Sequence, residues 1–222
     1  MSPGWARTGL VLFAILGASV ASADDRFSLG VPDLHRKAEA GDAAAQFQLG
    51  AAYDTGSGAP RNPARAEKWY RMAAGQGHAD AQNSLGSLYQ SQKKYSNARP
   101  WFEKAAASSH PRATNNLGYL YDMGLGVPRD RRKALEIYAK ASNLGSADAM
   151  WNIAHMHIAG QLDRPDLATA CVWAVRARRF APQGEFKLRG EISKAMTRLE
   201  QELPPEALAR CEAEGVNWKP SA

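Results

Sequence analysis

One pattern of small and large apolar residues is written three times along this chain, and a weaker fourth copy follows. The first copy runs Ala45, Leu49-Gly50, Tyr53, Gly56, Gly58, Ala66, Trp69, Ala73-Ala74 and Gly77. The second keeps Ala81, Leu85-Gly86, Tyr89, Ala98, Trp101 and Ala105-Ala106, and the third Ala113, Leu117-Gly118, Tyr121, Gly124, Gly126, Ala134, Ile137, Ala141 and Gly145. The fourth retains Ala149, Ile153-Ala154, Gly160, Ala170, Trp173 and Ala177. The leading alanines stand 36, 32 and 36 residues apart. A period of that length marks stacked supersecondary units, none of which can bury its apolar face alone. The chain is thereby constrained to a linear array, and an array offers a long surface suited to binding rather than to catalysis.

Each unit reads as two helices. In the first, Ala45, Leu49 and Tyr53 and their equivalents recur every four residues, along one helical face. Gly50, Gly86 and Gly118 fall inside these helices, where glycine costs roughly 1 kcal/mol against alanine, so close approach of a partner helix is expected there. Gly-x-Gly at 56–58 and 124–126, with Pro60, Pro63 and Pro128, then breaks the chain ahead of the second helix. There, Ala66, Trp69, Tyr70, Ala73 and Gly77 form an inward stripe of rings alternating with small residues, which suits interdigitated packing. Gly77 and Gly145 end these helices in the manner of a C′ glycine. The second unit is four residues shorter and has no Gly-x-Gly, so Gln90 to Asn97 must turn more tightly.

The ends differ from the array. Arg7, an apolar run from Leu10 to Val20 and Ala21-Ser22-Ala23 have the form of a secretory signal, with cleavage expected after Ala23. The apolar run is shorter than the roughly 20 residues a membrane span needs. Residues 24–41 are expected to form an N-terminal cap helix, with a half-unit from Leu34 to Ala40. The four units are assigned to 42–77, 78–109, 110–145 and 146–181. Residues 182–222 are expected to hold capping helices, one near Glu185–Leu203 and a shorter one from Glu206 to Ala213, separated by Pro204-Pro205.

Export permits a disulfide, and the chain has two cysteines. Cys171–Cys211 would pin the tail onto the last unit; otherwise both are small buried residues. The formal net charge is +6. Basic residues collect in the second half of each unit, among them Arg61, Arg65, Lys93, Lys94, Arg129, Arg132 and Lys133. They form either a solvated outer face or an attraction for an anionic partner, such as a membrane surface or an acidic polysaccharide. No nucleic-acid motif is present, and no nucleic-acid partner is expected.

The string Ala-x3-Leu-Gly-x2-Tyr, Gly-x-Gly, Ala-x2-Trp, Ala-Ala resembles the Sel1-like repeat of the tetratricopeptide-like solenoids, over about residues 34–181. The resemblance implies an all-α fold, a right-handed α-solenoid of antiparallel helix pairs with C-terminal capping helices. It also implies an exported adaptor or regulator that binds another protein or peptide segment, with no membrane span after signal cleavage and a periplasmic or secreted location. One exported branch of the family carries a disulfide in each repeat and has been linked to β-lactams; this chain has no cysteine in its first three units. The alternative functions are an envelope-ligand protein that binds or hydrolyses peptidoglycan or β-lactam, and a structural subunit of an envelope machine.

If the first helices line a concave groove, the positions two before and two after each Leu face it. These are Phe47 and Ala51, Asn83 and Ser87, Asn115 and Tyr119, and Trp151 and His155. Asp54, Asp80, Gln90, Arg112, Asp122 and Asp148 lie close by. The amides of Asn83 and Asn115 suit hydrogen bonding to an extended peptide. Phe47, Tyr119 and Trp151 are the anchoring rings, and the acids favour a basic or polar partner segment. No His-Glu-x-x-His, Gly-x-Ser-x-Gly, phosphate loop or Cys-x-x-Cys occurs. His155 and His157 are two residues apart and point to different sides of a helix, so they are not expected to share a metal. Neither catalytic residues nor a cofactor is expected.

Overall fold

The structure is a computed structural model, and it describes residues 32–220. The signal-like segment and residues 24–31 of the expected cap lie outside the described residues. Eleven helices and no strand occur among the described residues: α1 (Pro32–Glu39), α2 (Ala43–Thr55), α3 (Pro63–Gly75), α4 (Ala79–Ser91), α5 (Tyr95–Ala107), α6 (Pro111–Met123), α7 (Arg131–Asn143), α8 (Ala147–Ile158), α9 (Leu167–Phe180), α10 (Phe186–Glu202) and α11 (Pro205–Asn217). Helices α2 to α9 form four antiparallel pairs stacked in chain order, and each pair packs only on its neighbours. This is the expected all-α solenoid.

Local chemistry starts each first helix the same way. The backbone N–H of Ala45 donates to Asp42, that of Ala81 to His78, that of Ala113 to His110 and that of Ala149 to Ser146. Each bond satisfies one of the donors that a helix N-terminus leaves open. The turns before α4 and α8 pass through Gly77 and Gly145 at φ near +88°, as the C′ position requires. In the turn before α6, Ser109 takes that conformation with φ 57°.

The interior glycines are explained by rings on the second helices. A Cβ added to Gly50 would lie 2.6 Å from the Tyr70 ring, one on Gly86 2.6 Å from Phe102, and one on Gly118 2.7 Å from Tyr138. Phe102 and Tyr138 are fully buried by this contact. The inward stripe is thus carried mainly by the residue after each Trp. Trp69 is buried, whereas Trp101 and Trp173 are half-buried beneath the Lys104 ammonium and the Arg176 guanidinium, 4.4 and 4.5 Å from the ring centres.

The short second unit turns through residues 92–94 alone, with Lys93 at φ 59°. Both flanking helices extend into the stretch from Gln90 to Asn97. At the C-terminus α11 is longer than the sequence suggested. It continues past Ala213 because Gly215 is buried against α9, where a side chain would strike Val175. Cys171 and Cys211 form a disulfide with Cα atoms 5.7 Å apart, tying α11 to α9.

Candidate functional site

The turns that lead from one pair into the next lie along one edge of the stack, and a groove opens beside them. It encloses about 370 Å³ and runs from the first pair to the cap. Phe47 stands at one end, its ring stacked on His78 with centroids 5.0 Å apart. Phe180 and Pro182 stand at the other, where the connection between α9 and α10 folds over the first helices. Asn83 and Ser84 line the middle.

The second, third and fourth pairs each place one charged group along this wall. Asp80, Arg112 and Asp148 are the second residues of α4, α6 and α8, and Glu185 reaches in from the cap. The His110 ring fixes the register: Nδ1 accepts from the backbone of α6, and Nε2 lies 3.1 Å from Asp80. Desolvation first, and then the like charge of Glu185, push the Asp148 carboxyl above its ordinary range; Arg112 opposes them. The wall therefore alternates acid, base, acid, with an apolar ring at each end.

The structure brings Phe47, Asn83 and Arg112 together in this groove, with Asp80 and Asp148. The other residues selected from the sequence do not line it. Asp54 accepts from the Tyr70 hydroxyl at 3.5 Å. Asp122 lies 3.8 Å from Arg131, and burial raises its carboxyl pKa. Ser87, Tyr119 and His155 are exposed further along the first helices, and Trp151 is half-buried, 6.3 Å from the His155 ring.

The two asparagines also link neighbouring pairs. Asn83 Oδ1 accepts from Asn116 Nδ2 at 3.2 Å, and Asn115 Oδ1 accepts from Asn152 Nδ2 at 2.9 Å. Each carbonyl oxygen thus uses one of its two lone pairs to join a neighbouring pair. The sequence reading also missed His78, His110, Ser84 and the 181–185 connection. The one available signal was that His78 and His110 recur immediately before the helix start, in the place of Asp42 and Ser146.

An all-helical repeat solenoid with an open, charged groove is the class of protein that this geometry defines. The Sel1 repeat model matches residues 43–78, 79–110, 111–146 and 147–179. The chain belongs to the Sel1 repeat family. It is similar to the structure of a protective antigen of uropathogenic Escherichia coli strains displaying an SLR fold, with TM-score 0.73 and 28% identity over 82% of this chain and 38% of the antigen. It therefore spans well under half of that protein. It is also similar to a Sel1 repeat protein from Oxalobacter formigenes, with TM-score 0.65 and 31% identity over 80% of this chain and 74% of the other. No curated protein matches the sequence. Sel1 repeat proteins are generally protein-interaction scaffolds.

Proposed function

We propose that this chain is an exported, non-enzymatic scaffold that holds a segment of a partner protein in the groove beside the inter-pair turns. The observation that carries the reading is the groove itself. It crosses all four pairs, is walled by Phe47 and Phe180, and carries Asp80, Arg112 and Asp148 in register. An extended segment of a few residues fits such a channel, with apolar side chains at its ends and polar or charged groups between. Aromatic walls supply the contact area and the alternating charges set register and orientation.

The test is affinity isolation after in-cell crosslinking, comparing the natural chain with the double variant Arg112→Glu/Asp148→Lys. Both residues are exposed, so the variant keeps the fold. Recovery of the principal partner should fall about tenfold or more, the loss expected when a charged hot spot is reversed. Unchanged recovery would overturn the groove assignment. Export is checked separately: the N-terminus of the protein from the envelope or medium should begin at Asp24.

A further inference from the structure

The helix ends opposite the groove carry a different charge pattern. In antiparallel pairs, every connection from first to second helix falls on one edge of the stack. Here those connections are residues 56–62, 92–94 and 124–130 in the first three pairs. Arg61, Lys93, Lys94, Arg129, Arg132 and Lys133 stand on or beside them, and all six are exposed. None makes an ion pair with a carboxylate among the described residues.

Carboxylates nearby lie within electrostatic reach of the row, Asp122 of Arg129 and both Asp130 and Glu103 of Lys133, but each has another partner or stands beyond ion-pair distance. Asp54 accepts from Tyr70, Asp122 faces Arg131, and Asp130 caps α7 by accepting from the Lys133 backbone. Glu67, which lies within electrostatic reach of Lys94, is held below its ordinary pKa first by the Tyr89 hydroxyl and then by Arg71. The second and third connections are in contact. Gly126 in the third connection lies against Tyr95 and Ser96, beside Lys93-Lys94. The Lys133 ammonium is set over the Tyr121 ring, 4.2 Å from its centre, which limits its motion. Neighbouring helices pack about 8–10 Å apart, so the six charges form a line along the edge instead of a single focus.

We infer that this edge of the first three pairs binds a linear anionic polysaccharide. A row of exposed cations outside any ion pair, spaced by the repeat, complements a chain with regularly spaced negative charges, and both are extended in one dimension. A bilayer surface fits less well: among the described residues, Met123 is the one strongly exposed large apolar side chain beside these connections that could insert between lipids. The fourth pair is not included, because Asp163 and Asp166 offset Arg164 in its connection.

Binding of fluorescein-labelled alginate to the purified protein, followed by anisotropy, tests this. The charge-reversal variant Lys93→Glu/Lys94→Glu/Arg132→Glu is compared with Lys140→Glu/Lys187→Glu/Lys219→Glu, which changes net charge equally away from the edge. The expected result is binding that weakens steeply with salt, is lost by about tenfold or more in the edge variant, and stays within about twofold of the natural chain in the control. Both variants should keep the natural melting temperature. Four outcomes would overturn the inference: no alginate binding at low salt, equal loss in both variants, tighter binding to single-stranded DNA than to alginate, or binding only to phosphatidylglycerol vesicles. The groove is untouched by these substitutions, so the two proposals fail independently.

Discussion

The first three helix pairs and the fourth reach the same shape by different packing. In the first three, a ring on the second helix sits on a glycine of the first: Tyr70 on Gly50, Phe102 on Gly86, Tyr138 on Gly118. In the fourth, the equivalent positions are Ala154 and Ala174, both fully buried. Neither the ring nor the cleft for it is present, so the two changes compensate. What the fourth pair loses in aromatic contact is supplied from outside its own repeat. Helix α11 packs on α9 through the Cys171–Cys211 bridge, and the Arg176 guanidinium lies over both Trp173 and Trp218, 4.5 and 5.0 Å from the ring centres. An internal repeat can rely on its neighbours and its own ring, whereas a terminal one needs a cap.

The largest effect should come from removing a ring. Phe102→Ala deletes a fully buried aromatic between the two helices of the second pair and should cost about 3–5 kcal/mol in chemical denaturation. Loss of less than about 1 kcal/mol would mean that the ring-on-glycine contact is not what holds the array. Next comes the bridge. Cys171→Ala/Cys211→Ala opens a closure of 40 residues and should cost about 2–4 kcal/mol. Hydrogen exchange should show the loss confined to α9 and α11, with α2 to α7 protected as before. Uniform loss of protection would show that the cap supports the whole array.

The glycines give a sharper contrast. Gly118→Ala raises helix propensity by roughly 1 kcal/mol, yet the added methyl meets the Tyr138 ring, and overpacking of this kind costs about 1–3 kcal/mol. It should therefore lower the melting temperature. Ala154→Gly faces no ring and should cost about 1 kcal/mol through propensity alone. If Gly118→Ala were stabilising, the close approach would not be the reason for that glycine.

The smallest effect concerns pH. Burial depresses the pKa of His157, on the last turn of α8, and Asp166 partly opposes this. The unfolded chain then binds a proton here more readily than the folded one. His157 consequently weakens the fold as pH falls from the unfolded value of about 6.5 through the lower folded value. Stability at pH 7.5 and 5 should differ less in His157→Gln than in the natural chain. An equal difference in both would assign the pH dependence to other groups.

Much of the fold was legible because its signals are local and repeated. The Leu-Gly pairs, the Gly-x-Gly loops and the missing loop of the second unit each correspond to a feature of the structure. The ends were harder to read. Helix α11 runs to Asn217 because Gly215 meets Val175, a contact between residues 40 apart that no local pattern announces. The groove was legible in part. Phe47, Asn83 and Arg112 were selected by their place in the repeat, and the structure puts them together. The asparagine links between repeats were not legible, because spacing identifies a helix face but not which neighbouring side chain it meets. Ala181 to Glu185 were missed because their position depends on how the cap folds back.

The groove is the central claim, and site-specific photocrosslinking tests it most directly. A benzophenone amino acid would replace Asp80 in the groove wall or, as the control, exposed Lys140 on α7. The account predicts a discrete adduct between Asp80 and one partner polypeptide, abolished by Arg112→Glu/Asp148→Lys, and no such adduct from Lys140. The same adduct from both positions, or none from Asp80, would contradict it.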